Sequence, residues 1–256
     1  MNPLLNIASR AAINSSIYML RCLDQLDTHF LIKKNQHIKE YLENIVTSII
    51  KNAYPNHHVN LQDMENKYKE NIYNWAICII SGQNNFNHKI PIFSISIAII
   101  YNKRVEHGLI YDPVKNEMFT ASRNEGAKLN NKRIRLPDNI SINNSIVNFS
   151  VKDLSLKNTK YNTYKVIEKI GNKLDLRSLG NPSLSLAYLS TGRISGYFEQ
   201  ISNVNEIAAG ALIAKESGAY VSDYRNEGEF LKNKNIVAAH PQLFPYIIEN
   251  IIKNKN

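Results

Sequence analysis

Six consecutive apolar residues, Trp75-Ala76-Ile77-Cys78-Ile79-Ile80, run up to Ser81-Gly82 and stop there. A stretch this short and this uniformly apolar leaves no wet face, so it reads as a buried strand ended by a turn. A strand of that kind needs other elements packed over it. At 256 residues, 43% of them hydrophobic, the chain can supply one large core, and a disordered tail is excluded.

The neighbouring sequence supplies the other elements. The stretch 91–101 carries β-branched residues at Ile92, Ile95, Ile97 and Ile99, and shorter strands are expected over 108–111 and 118–121. Asn130-Asn131 is a hairpin turn signal ahead of Ile134 and Leu136. Upstream, Leu5, Ala8, Ala12, Ile17, Leu20 and Leu23 recur at helical spacing over residues 2 to about 30, and a second helix is expected from about 37 to 52. Downstream, a strand is expected over 146–151 and a polar helix over about 160–172. Helices follow over 182–191 and 205–217, with Gly192 and Gly218 as their stops. Strands over 219–222 and 236–239 precede a last helix over 241 to about 253. Strands come in clusters with helices between them, an α+β layering and not a regular βαβ alternation. One domain over 1–256 is expected, with an α+β part to about 140 and an α/β part from about 141.

Several function classes drop out. Cys22 and Cys78 are the only cysteines and stand far apart, so no disulfide framework or CxxC metal site can form, and a reducing cytoplasm fits. No apolar run approaches 18 residues, and MNPLLNIASR has no basic stretch followed by an apolar signal core, so neither export nor a membrane partner is expected. Phosphate loops of the GxxxxGK[ST] or GxGxxG kind, HExxH and GxSxG are all missing. His57-His58 follows a turn and reads as solvated. The net charge of +9 favours anionic partners such as nucleic acid or an acidic protein surface. However, 35 Asn, 34 Ile and 22 Lys against 9 Arg is the bias that A/T-rich codons impose, so the charge reads equally as drift, and direct RNA contact stays open.

The segment Trp75-Ala76-Ile77-Cys78-Ile79-Ile80-Ser81-Gly82-Gln83-Asn84-Asn85-Phe86, with Ile90-Pro91 and the strand after it, resembles the signature W-[IV]-[IV]-D-P-[LI]-D-G-T-T-N-F of the inositol monophosphatase family. Further matches follow in order: Tyr111-Asp112-Pro113, Gly126-Ala127-Lys128-Leu129-Asn130, Leu186-Ala187-Tyr188, Gly192-Arg193-Ile194-Ser195-Gly196-Tyr197-Phe198-Glu199, Ala208-Ala209-Gly210 and Glu216-Ser217-Gly218-Ala219. The resemblance covers nearly the whole chain, and MNPLLNIASRAA with Ala53-Tyr54-Pro55 resembles the bacterial branch. It implies an αβαβα sandwich, often dimeric, and a Mg²⁺-dependent phosphate-monoester phosphatase. It also implies the accessory role of that branch, a Nus-type factor acting with NusA and RNA polymerase in ribosomal RNA antitermination.

The site residues follow only from this resemblance. The family holds Mg²⁺ with a Glu, two signature Asp residues and an Asp in W-D-x-A-A-G. The matching positions here are Gln62, Cys78, Ser81 and Glu206. Two positions that orient the attacking water match Lys39 and Gln83, the first a charge reversal. Substrate-binding positions match Ile80, Ser81, Gly82, Gln83, Arg177 and Glu206, while Ala211 stands where many members have an inositol-contacting Glu. Mg²⁺ prefers carboxylate oxygens and thiols suit softer metals, so this set disfavours tight Mg²⁺ binding. Asp63 with Glu206 remains as a one-ion alternative completed by substrate phosphate. Arg177 reads sooner as a surface or interface ion-pair residue than as a substrate contact, Cys78 as a small buried hydrophobe rather than a nucleophile, and Asp112 and Asp223 as turn and cap residues.

Overall fold

The computed structural model describes residues 2–25, 27–62, 68–150, 163–200 and 203–254. Helix α1 (Pro3–Gln25) is followed at once by α2 (Thr28–Ala53). The second helix begins well before the expected residue 37 because Asp27 caps it, its side chain accepting from the Phe30 amide at 2.7 Å. Leu31 and Ile38 lie on the same buried face as Leu42, Val46 and Ile50, but the polar run Lys33 to His37 between them hides the period.

Strand β1 (His58–Asn60) pairs parallel with β2 (Asn74–Ser81), the buried strand read from the sequence. A short helix, α3 (Gln83–Asn87), takes the place of the loop expected after it. An antiparallel meander follows: β3 (Ser94–Tyr101), β4 (Arg104–Asp112), β5 (Glu117–Ser122), β6 (Gly126–Leu129) and β7 (Lys132–Ile134), completing a seven-stranded sheet in chain order. Asn130 and Asn131 turn the last hairpin with φ of 48° and 66°, the left-handed pair that a two-residue turn requires.

The second sheet takes the order β11-β12-β10-β8-β9. Its elements are β8 (Ile146–Ser150), α4 (Thr163–Gly171), β9 (Asp175–Arg177), α5 (Pro182–Ser190), β10 (Gly196–Gln200), α6 (Ala208–Glu216), β11 (Tyr220–Ser222), α7 (Phe230–Asn233), β12 (Asn235–Ala239) and α8 (Phe244–Lys253). Strands β9 and β10 and helix α7 went unread in the sequence. Gly192 and Gly218 follow α5 and α6 with φ of 73° and 104°, as stops should.

Three apolar clusters define the layers. α1 and α2 cover one face of the seven-stranded sheet, α5 and α6 fill the space between the sheets, and α4 and α8 cover the far face of the second sheet. The order is αβαβα. Every residue of α5 is buried, because both of its sides face a layer. Among the described residues no helix is long and apolar enough to cross a membrane.

Candidate functional site

The inner helices α5 and α6 start beside the end of β2, and hydrogen bonds join the three elements there. This junction depends on two asparagines. Asn181 caps α5, its Oδ1 accepting from the Leu184 amide at 2.9 Å. The same Oδ1 accepts from Ser81 Oγ at 2.9 Å, and Asn181 Nδ2 donates to Ser81 O at 3.1 Å. Ser81 is thereby fixed at the end of β2, fully buried. Gly82 follows with φ +79°, and a Cβ there would lie 2.6 Å from Ile92 O, so only glycine turns this corner.

The second asparagine, Asn205, sits in the 3₁₀ turn Val204–Glu206 ahead of α6. Asn203 caps this turn, its Oδ1 accepting from the Asn205 amide at 2.9 Å. Asn205 itself is buried, and its Nδ2 faces Gln62 O at 2.7 Å, Ile77 O at 3.2 Å and Asn60 O at 3.3 Å. Ser183 Oγ donates to Glu206 O at 2.6 Å, joining α5 to the same turn. Gln62, Cys78, Ser81 and Glu206, distant in sequence, are thus gathered at one place.

The remaining expected positions divide. Gln83 begins α3 and its Nε2 donates to Asn35 Oδ1 of α2 at 2.5 Å. Lys39 lies one turn further along α2, where its ammonium pairs with Glu43 at 3.8 Å. Burial raises the Glu43 carboxyl above its ordinary range, and Lys39 works against that rise. Ile80 and Gly82 are buried in the strand end. Arg177 is exposed on edge strand β9 and contacts its own strand, Leu176 O at 2.8 Å and Asp175 at 3.9 Å. Ala211 is buried in α6. Asp63 lies outside the described residues.

Sequence reading missed Asn181, and it missed a buried acid, Glu199 on β10. Its carboxylate accepts from the Tyr197 hydroxyl. Burial first, then Glu199 and more distantly Glu206, push the Tyr197 phenol well above its ordinary range. A Glu following Gly196-Tyr197-Phe198 was the available signal, since a charge beside two aromatics suits a strand end better than a loop. The histidine pair is also not solvated as expected. Trp75 Nε1 donates to His57 Nδ1 at 3.1 Å, and His58 Nδ1 lies 3.2 Å from Asn74 Oδ1. Asp112 and Asp223 do organise turns, accepting from the amides of Val114 and Lys115, and of Glu227 and Gly228.

A family model described as the inositol monophosphatase family matches residues 35–255. The chain belongs to the inositol monophosphatase family. It is 32% identical to the Nus factor SuhB of Pseudomonas aeruginosa over 98% of this chain and 96% of that one. It is 33% identical to the Nus factor SuhB of Vibrio cholerae, over 100% and 98%. Among solved structures, the extragenic suppressor protein suhB of Bartonella henselae superposes with a TM-score of 0.85 at 22% identity, covering 99% of both chains. An inositol monophosphatase from Anabaena gives 0.85 at 23%, covering 98% of this chain and 96% of that one. The fold is therefore that of the family.

The family's Mg²⁺ finds poor donors here. Of the four gathered positions only Glu206 offers a carboxylate; the others are an amide, a thiol and a hydroxyl. The neutral Ser81 hydroxyl is fully buried and donates to Asn181, and the carbonyls of Gln62 and Ile77 already accept from Asn205. No group of three or more His, Cys, Asp or Glu side chains that could hold a metal occurs among the described residues. A small hard cation that demands near-octahedral oxygen ligands does not fit this set.

Proposed function

We propose that the chain acts as a Nus-type factor of the ribosomal RNA transcription antitermination complex, with phosphatase activity lost or very weak. The carrying observation is the contrast at one junction: its glycine corner, strand end and helix starts are formed, while three of the four positions that match the family's metal ligands hold neutral side chains. Most substitutions destabilise by about 1 kcal/mol, so a chain under no demand would lose the scaffold as readily as the ligands. The curated relatives bear the name Nus factor, which supports a role that needs the scaffold and not hydrolysis. The partners of this reading are NusA and RNA polymerase in the cytoplasm, with a second copy of the chain as a further one.

The test measures hydrolysis of inositol-1-phosphate by purified protein across a Mg²⁺ titration, with Glu206→Ala as the control, together with capture of purified NusA and RNA polymerase. The expected outcome is no turnover and retained capture. Turnover that rises with Mg²⁺ and vanishes in Glu206→Ala would instead establish a Mg²⁺-dependent inositol-1-monophosphatase built on Glu206 and Asp63.

A further inference from the structure

We infer that the side chains of Asn205 and Asn181 fasten this junction in the way a bound cation fastens a metal site, so that the junction takes its shape with no metal ion. The inference concerns what holds the junction together and is independent of which partners the protein has. A cation organises a site by drawing oxygen atoms from separate segments onto one point, and its binding free energy becomes folding free energy. The Asn205 Nδ2 group occupies such a point. Three main-chain carbonyl oxygens converge on it, two from the β1 segment at Asn60 and Gln62 and one from β2 at Ile77.

The orientation of this amide is dictated by its surroundings. All three neighbours are acceptors, so the NH₂ end must face them; the opposite orientation would set four oxygens against one another. The cost shows at the other end, where the buried Asn205 Oδ1 has no partner among the described residues. The donor end, which meets three carbonyls, therefore decides the orientation.

The placement of the two asparagines covers the whole ligand set. Gln62 is bonded to Asn205 through its own carbonyl, Cys78 follows the bonded Ile77, and Glu206 follows Asn205 in the chain. Ser81 is held through both hydroxyl and carbonyl by Asn181. Each position where the family places a ligand is therefore on, or next to, a residue fastened by one of these two amides. Ser96, the cross-strand partner of Cys78, adds a hydroxyl 3.4 Å from Asn205 O.

Thermal unfolding of the full chain tests this. The wild type is expected to unfold at the same temperature in EDTA and in excess Mg²⁺. Asn205→Leu, close in volume and without a donor, lowers Tm by about 5 °C or more in both conditions. Asn205→Asp sets a carboxylate among the three carbonyls, an all-oxygen set suited to a hard cation. Its Tm falls in EDTA and recovers on addition of Ca²⁺, a response that mere loss of packing would not give. A wild-type Tm that climbs several degrees with Mg²⁺, an Asn205→Leu variant as stable as the wild type, or an Asn205→Asp variant indifferent to Ca²⁺ overturns the inference. Should the variants not fold, hydrogen exchange at the Gln62 main-chain amide of the wild type decides: equal protection with and without Mg²⁺ upholds it, and protection that Mg²⁺ raises overturns it.

Discussion

The inner helix pair and the polar junction at its start are contiguous, yet they are held by different physics. Along α5 and α6 contact is steric: Gly210 lies so close to α5 that a Cβ on it would stand 2.6 Å from the Leu186 Cβ, and a Cβ on Gly108 of β4 would stand 2.8 Å from Ala209 O. At the junction, a few steps away, the contacts are amides and hydroxyls on main-chain carbonyls. Steric fit constrains residue size whatever the protein does, so small residues persist at the helix crossing. Polar fit constrains only that each buried donor meets an acceptor, and an asparagine satisfies that rule as well as a carboxylate with its ion does.

The helix crossing should respond most strongly to substitution. Gly210→Val forces a branched side chain against Leu186 and Ile110, and is expected to cost about 3 kcal/mol or more, read from the urea midpoint at constant slope. Gly210→Ala gives a sign test. Intrinsic helix propensity alone would make it stabilising by about 1 kcal/mol. Destabilisation shows that shape decides at the crossing, and a stabilised variant would break the contrast drawn between the two regions.

A smaller loss is expected on the polar side. Asn181→Ala removes the α5 cap and leaves Ser81 without its partner, for about 2–3 kcal/mol by the same urea assay. Asn181→Ser, able to cap but too short to span to Ser81, should fall between that variant and the wild type. If Ser recovers nothing, the capping half of the account fails.

How much of this was legible in the sequence depended on whether the determining contact is local. The β2 strand, the meander after it and the glycine stops could be read because alternation, apolar runs and positive φ are properties of neighbouring residues. The first turns of α2 were lost to polar letters on a helix whose buried positions are widely spaced, and β10 was lost because Gly196 and Glu199 interrupt its apolar letters. The ligand positions are assigned only by resemblance to the family, and the resemblance says nothing of their fastening. Asn205 meets carbonyls 128 to 145 residues earlier in the chain, and Asn181 meets Ser81 across 100 residues. A single asparagine carries no periodic signal, so only the assembled fold reveals what it holds.

A third polar contact, away from the junction, sharpens the comparison through pH. Trp75 is the only tryptophan, is fully buried, and its indole can only donate. His57 Nδ1 must therefore accept, which holds the imidazole neutral with its proton on Nε2. Burial, helped by Lys51, whose ammonium bonds His57 O at 2.6 Å, lowers the His57 pKa below its ordinary value. The rings of Tyr54 and Tyr73 complete the surroundings. Because the unfolded chain binds this proton more readily than the folded one, the contribution is fully present above the ordinary histidine pKa and is lost as pH falls from there toward the lower folded value. The effect is smaller than either substitution, since His57 keeps partial contact with solvent. Trp75 fluorescence should shift over that acid window in the native protein, and His57→Gln should abolish the shift. Urea midpoints should fall over the same window in the wild type and fall less in His57→Gln. A fluorescence shift that survives in His57→Gln would place the titrating group elsewhere, with His58 and His107, both also lowered by burial, as the next histidines to substitute.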